Sequence, residues 1–231
     1  MNKVILITGS NRGIGFEIAR QCGKSGLHVI ISGRDESRLK GALIQLKKED
    51  IDADSLVMDV SSPESIRKAA EIYSRKNQKI DVLINNAGIV VKGDKSLLEN
   101  DEDLLEQTIK TNSYGPLNVI RYFLRFIQSP GRIIMISSTG GQLSREVGGW
   151  SPAYCVSKTF LNAISLHLAN ELRSKNISVN AVSPGWVRTS MGGTFAPRSI
   201  EKGAETPVWL AIEAPQKLTG KFFADKTEIP W

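Results

Sequence analysis

Short runs that are apolar almost throughout alternate along the chain with longer amphipathic stretches. The runs fall at 4–8, 29–32, 55–58, 82–85, 132–137, 178–183 and 220–224. A strand without polar alternation is buried on both faces, which is the condition of a parallel sheet. Between the runs, apolar positions recur at helical spacing over 14–24, 36–49, 63–76, 100–110, 114–128, 152–174 and 199–212. This strand–helix rhythm predicts an α/β, doubly wound fold, with a parallel sheet of about seven strands and helices on both faces. Right-handed crossovers place the C-terminal strand ends along one edge, where ligands of such folds bind. No linker or charge block divides residues 1–231, so a single domain is expected. Residues 184–198 form a long proline- and glycine-bearing connection, a candidate substrate loop with a plain surface excursion as its alternative.

The first run leads directly into Thr8-Gly9-Ser10-Asn11-Arg12-Gly13-Ile14-Gly15 and then into a helical stretch. Glycines at this strand-to-helix turn let the backbone approach a pyrophosphate, and a helix N-terminus offers free N–H groups and a positive dipole end. Gly9, Asn11, Arg12, Gly13, Ile14 and Gly15 are therefore candidate cofactor contacts in a Rossmann-type fold. A dinucleotide site that prefers NAD carries Asp or Glu after the second strand, to accept from the ribose 2′-hydroxyl. Here Gly33 and Arg34 stand at that point. Arg34, with Arg12, suits a 2′-phosphate through bidentate pairing, which predicts NADP(H). The alternative is that both arginines are merely solvated.

Tyr154 and Lys158 stand four residues apart in a helical stretch, on one helix face. A phenol has an ordinary pKa near ~10, and a neighbouring ammonium is expected to lower it by favouring the phenolate. The pair is a candidate general acid/base, although many solvated helix faces carry the same spacing. His28 and His167 have no ligand partner at metal spacing and read as structural, so no metal is expected.

Taken in order, these residues resemble the short-chain dehydrogenase/reductase family over nearly the whole chain. Thr8–Gly15 is similar to its T-G-x-x-x-G-x-G motif, Asp59 and Val60 to its adenine-side D-V, and Asn85-Asn86-Ala87-Gly88 to its N-N-A-G. Asn112, Ser138, Tyr154, Lys158 and Pro184-Gly185 complete the set. The segment 184–193, Ala204-Glu205-Thr206-Pro207 and the final Ile229-Pro230-Trp231 resemble the carbonyl-reductase-like branch. The resemblance implies a catalytic set. Tyr154 would give a proton to a carbonyl oxygen. Lys158 would bind the nicotinamide ribose, Ser138 would polarise the carbonyl, and Asn112 would hold a water that links Lys158 to solvent. It also implies cofactor contacts at Asp59, Val60, Asn86, Ala87, Gly88, Pro184, Gly185, Val187 and Thr189. Ser137 rivals Ser138, Asp59 has a loop-capping alternative, and Trp150 and Trp186 are either pocket walls or core.

Composition changes the picture little. The chain is 41% hydrophobic and 23% charged, with two cysteines, Cys22 and Cys155, that share no disulfide or metal spacing. No apolar run reaches the ~18 residues of a membrane span, and the first residues read as a strand, not a leader. A cytoplasmic protein is expected. The net charge of +6 raises nucleic acid, but basic and acidic residues are interspersed and no basic stripe with aromatics appears. The resulting expectation is NADPH-dependent reduction of a small aldehyde, ketone, dicarbonyl or quinone. A non-catalytic NADP(H)-binding sensor is the alternative. Homodimer and monomer both stay open.

Overall fold

The computed structural model describes residues 2–146 and 149–231. Eight strands form one sheet: β1 (Val4–Ile7), β2 (His28–Gly33), β3 (Ala53–Val57), β4 (Ile80–Asn85), β5 (Ile127–Ile136), β6 (Ile177–Val182), β7 (Phe222–Ala224) and β8 (Thr227–Ile229). Their order is β3-β2-β1-β4-β5-β6-β7-β8, with every pairing parallel up to β7. The helices are α1 (Gly13–Lys24), α2 (Glu36–Lys48), α3 (Pro63–Ser74), α4 (Glu102–Ile109), α5 (Gly115–Phe123), α6 (Pro152–Glu171) and α7 (Ile200–Ile212).

The all-apolar strands explain the layering. Alternate residues of a strand point to opposite faces, and both faces here are covered. Leu6, Ile30, Leu83, Ile133 and Val179 pack with Ile66 and Tyr73 of α3, Phe123 of α5 and Leu161 of α6. Ile5, Ile31, Ile84, Ile134 and Val182 pack with Ile18 of α1, Leu39 of α2 and Leu210 of α7. The sheet is thus sealed between two helical layers. Its order reverses between β1 and β4, which opens a crevice at their C-terminal ends.

The expected parallel sheet of about seven strands is present, and an eighth strand adds an antiparallel edge to it. β8 runs antiparallel to β7, with Ala224 opposite Thr227. The two connecting residues, Asp225 and Lys226, have φ values of 49° and 62°. Positive φ at both positions is the geometry of a two-residue hairpin turn that matches strand twist. The segment also lies under Arg198, whose guanidinium binds Asp225 through two bonds of 2.6 and 2.9 Å. That pair ties the 184–198 connection to the sheet edge. The connection is further tied to itself: Val187 bridges Arg198, and Arg188 N donates to Arg198 O at 2.9 Å.

Phe123 is fully buried against Tyr73 and Phe126, with ring centroids 5.9 and 5.8 Å away. Phe123→Ala is expected to lower unfolding free energy by ~3–5 kcal/mol through lost transfer energy and the cavity it leaves. Phe195→Ala, at a position 91% exposed, is expected to change it by less than ~0.5 kcal/mol. Urea unfolding of the two variants checks both values.

Candidate active site

The crevice is built from two loops that lock together. Thr8 follows β1, and its Oγ1 accepts from the N–H groups of Asn86 and Ala87, each at 3.0 Å. Asn86 Nδ2 returns bonds of 2.9 Å to the carbonyls of Thr8 and Gly9. Gly9 has φ of +62°, and a Cβ there would lie 2.8 Å from Ala87 Cα, so glycine is required on both counts. Gly15 is buried, where a Cβ would meet Gly9 O at 2.7 Å. Asn11 faces Gly33: a Cβ on Gly33 would lie 3.2 Å from Asn11 Oδ1. Ile14 packs on the α1 side of the core.

Arg12 stands at the N-cap of α1 in extended conformation, and its own side chain makes no capping bond. A helix start without an internal acceptor, opened by Gly13, fits a bound phosphate. Arg12 and Gly13, with Arg188, Thr189, Ser190, Gly193, Thr194 and Ile200, line a cavity of about 460 Å³. Arg34 is exposed just beyond β2, and its neighbour Asp35 pairs with Arg38 at 3.1 Å instead. Asp59 Oδ1 accepts from Ser61 N at 2.9 Å and from Ser61 Oγ at 2.7 Å. Val60 is buried against Gly115, where a Cβ would sit 2.9 Å from Val60 O. Across the crevice, Pro184 and Val187 are buried and Gly185 packs on the Arg198 guanidinium. Thr189 Oγ1 accepts from Met191 N and Gly192 N at 3.3 and 3.1 Å, closing a turn.

The proton-bearing groups lie on α6, on its buried side. Tyr154 is 9% exposed and Lys158 3%. Lys158 Nζ donates to Ile136 O, the last carbonyl of β5, at 2.8 Å, and lies 5.5 Å from the centroid of the Tyr154 ring. Burial pushes the Tyr154 phenol up to about 12, while the adjacent Ser138 hydroxyl pulls it the other way. Burial also brings the Lys158 ammonium down to about 8. The expected lowering of the phenol by the lysine is therefore overturned. The ammonium sits over the ring and bonds a carbonyl, and loss of hydration, which disfavours both charged forms, outweighs its attraction for the phenolate.

Ser138 follows β5, and its Oγ accepts from Gly140 N at 3.0 Å. Ser137, its rival, is buried with its hydroxyl bound to Asn162 Oδ1 at 2.6 Å. Asn112 lies in a π-helical turn, Lys110–Tyr114, between α4 and α5. Such turns insert one extra residue and re-aim side chains. Its amide is committed to Ile89, accepting from N at 2.8 Å and donating to O at 2.9 Å, and to Ser157 Oγ at 3.0 Å. Asn112 thereby staples the β4 exit to α6. Gly88 lies between it and the lysine: a Cβ there would be 3.2 Å from Asn112 Oδ1 and 3.6 Å from Lys158 Nζ.

Trp150 is half exposed, 5.7 Å from the Tyr154 ring centre to centre, and Trp186 is exposed with its indole N–H on Gly192 O. Cys155 points away into packing, with Sγ 3.2 Å from Trp150 O. Sequence reasoning assigned no role to Arg188 or Ser157, which lie inside stretches it singled out, and it missed Asp94 altogether. Among the described residues, no group of three His, Cys, Asp or Glu could hold a metal, and no helix is long and apolar enough to cross a membrane.

Comparison with known proteins agrees with this geometry. The short chain dehydrogenase family matches residues 3–199. Carbonyl reductase [NADPH] 1 of Mus musculus is 33% identical over 277 aligned positions, covering 99% of this chain and 98% of that protein. The (+)-neomenthol dehydrogenase of Arabidopsis thaliana is 34% identical, covering 96% and 95%. The NADPH-bound carbonyl reductase from chicken fatty liver superposes with a TM-score of 0.89 at 25% identity, over 100% of this chain and 99% of that one. The mouse alignment is longer than this chain's 231 residues, so the relative carries insertions that this chain lacks. The protein belongs to the short-chain dehydrogenase family and is an oxidoreductase of the carbonyl-reductase-like kind.

Proposed function

We propose that the protein reduces the carbonyl of a small aldehyde, ketone, dicarbonyl or quinone to an alcohol with NADPH, and that Tyr154 is the proton donor. The observation that carries this reading is the geometry of the α6 face: Tyr154 and Lys158 are buried side by side, with Lys158 Nζ on Ile136 O at 2.8 Å and 5.5 Å from the phenol ring centre. A phenol held near 12 is protonated at neutral pH, and a lysine near 8 still carries its charge there. That is the state an acid needs before reduction.

When bound, the cofactor supplies the hydride, which goes to the carbonyl carbon. The protein's residues handle the oxygen. Ser138 Oγ donates to it as charge develops, and Tyr154 Oη gives it the proton, leaving the alcohol and a phenolate. Lys158 Nζ, held on Ile136 O beside the ring, would keep the positive charge of the α6 face next to the phenol. Asn112 keeps the β4 exit and α6 in register through Ile89 and Ser157. Trp150, beside Tyr154, would contact the substrate's apolar part.

The same reading assigns the rest of the crevice. The N–H groups of Gly13, Ile14 and Gly15, with Gly9 and Asn11, would hold the pyrophosphate. Arg12 and Arg34 would hold the 2′-phosphate, Asp59 and Val60 the adenine, and Asn86, Ala87 and Gly88 the adjoining ribose side. Lys158 would bind the nicotinamide ribose. Pro184, Gly185, Val187 and Thr189 would hold the nicotinamide carboxamide.

Tyr154→Phe is expected to lower kcat by about 10²–10⁴-fold while NADPH still binds, measured by NADPH oxidation over a carbonyl panel and by fluorescence titration. Turnover at the wild-type rate in the variant would contradict the proton-donor role. Tight NADPH binding with no turnover by the wild type across the panel would support a non-catalytic sensor instead. Removing Arg34 tests the cofactor assignment. Arg34→Ala is expected to weaken NADPH by about tenfold or more while sparing NADH, since one charge-assisted pair contributes ~1.5–3 kcal/mol. An unchanged NADPH-to-NADH preference would refute the 2′-phosphate role.

A further inference from the structure

Helix α6 has no cap from its own end. Ser151 precedes Pro152, the sequence arrangement of an N-cap, yet Ser151 lies in the left-handed region at φ 40° and its side chain caps nothing. Pro152 has no N–H to satisfy. Cys155 N makes the first intrahelical bond, to Ser151 O at 3.0 Å. The two donors between them are met from elsewhere in the chain. Ala153 N donates to Asp94 Oδ1 and Tyr154 N to Asp94 Oδ2, each at 3.0 Å.

Asp94 belongs to the connection between β4 and α4, and is only 8% exposed. Its Oδ1 also accepts from Asn100 Nδ2 at 2.9 Å. Asn100 Oδ1 in turn accepts from Lys95 N and Ser96 N, at 3.0 and 3.1 Å. The hydrogen-bonded chain therefore runs from the 95–100 loop through Asn100 and Asp94 to the backbone of Tyr154. A carboxylate at this point also meets the positive end of a 20-residue helix. Upstream, Asn112 holds Ile89 of the same connection, so the segment is fastened at both ends to the elements that carry the site.

We propose that Asp94 is a positioning residue for the reaction: it fixes the main chain of Tyr154, and with it the phenol, and couples that position to the 94–100 loop. The inference rests on Tyr154 being the proton donor. Both carboxylate oxygens end on amides of α6, one of them that of Tyr154 itself, so a change at Asp94 moves the donor more directly than it moves the phosphate loop at β1. Attack geometry is steep in distance, which makes the loss appear in turnover. Cofactor affinity, set by the glycine loop and arginines, is not expected to follow.

The test uses the full chain with Asp94→Ala and Asp94→Asn, each alone and combined with Tyr154→Phe. Asp94→Ala is expected to lower kcat about 10²-fold, and Asp94→Asn, which keeps one acceptor, about tenfold, with NADPH affinity by fluorescence titration unchanged. In the Tyr154→Phe background the same substitutions are expected to cost nothing further, because they act through the phenol. If Asp94→Ala does not fold, Asp94→Asn decides. Full turnover in Asp94→Asn beside a disabled Tyr154→Phe would overturn the positioning role alone. So would an equal loss in both backgrounds, or a loss of NADPH affinity that matches the loss of kcat. Wild-type turnover in Tyr154→Phe would overturn the proton-donor reading itself, and this inference with it.

Discussion

A lysine ammonium buried to 3% exposure and bonded to the last carbonyl of a central strand is an expensive feature, because a charged group loses its hydration there. Its neighbours on α6 follow from that placement. The bond from Lys158 to Ile136 fixes the helix against the end of β5, and it leaves the ammonium over the ring of Tyr154 instead of at its oxygen. The phenol, equally buried, is held protonated and the lysine is brought down to about 8. Neither group is tuned by the other in the way a pair of charges in water would be. Desolvation sets both, and the packing of α6 sets the desolvation.

That packing is over-determined. Gly141 lies so close to α6 that a Cβ would stand 2.6 Å from the carbonyl carbon of Lys158. Ser113 and Asn112 bind Ser157 from the π-helical turn, at 2.7 and 3.0 Å. Asn162 ties the same helix to Ser137 and to Gly141 O. These contacts come from two separate connections, and both converge on the helix that carries Tyr154 and Lys158. The glycine-loop side is built differently, from backbone, glycine and the Thr8–Asn86 lock, with its charged groups left near the surface. A closely packed helix bearing Tyr154 and Lys158 thus faces a crevice whose arginines, Arg12 and Arg34, are exposed.

Much of this was legible in the sequence because it follows from local pattern. Strands apolar on both faces leave a parallel sheet as the economical arrangement, and a glycine turn between strand and helix marks one end of the crevice. Tyr154 and Lys158 share a face by spacing alone. The eighth strand was not legible, since it is three residues long and its turn, Asp225-Lys226, lacks the glycine or asparagine that usually signals such a hairpin. The direction of the Tyr154 shift was not legible either, because burial is a tertiary property and the sequence shows only which groups are neighbours on a helix. The start of α6 was not legible, because its acceptor is not Ser151 but Asp94, 59 residues upstream of Ala153. Asn112 was marked by a motif, but its commitment to Ile89 and Ser157 emerges only once β4 and α6 are adjacent.

The central claim is that burial, not mutual titration, sets the ionisation of the α6 face, so that the enzyme enters catalysis with Tyr154 protonated and Lys158 charged. It is tested most directly by the pH dependence of kcat/KM for NADPH, which reports the free enzyme. With the lysine near 8 and the phenol near 12, reduction should be level through neutral pH and fall as pH rises through about 8, when Lys158 loses its proton. A profile that falls between pH 6 and 7 as the phenol ionises, or one level to pH 10, would contradict the account.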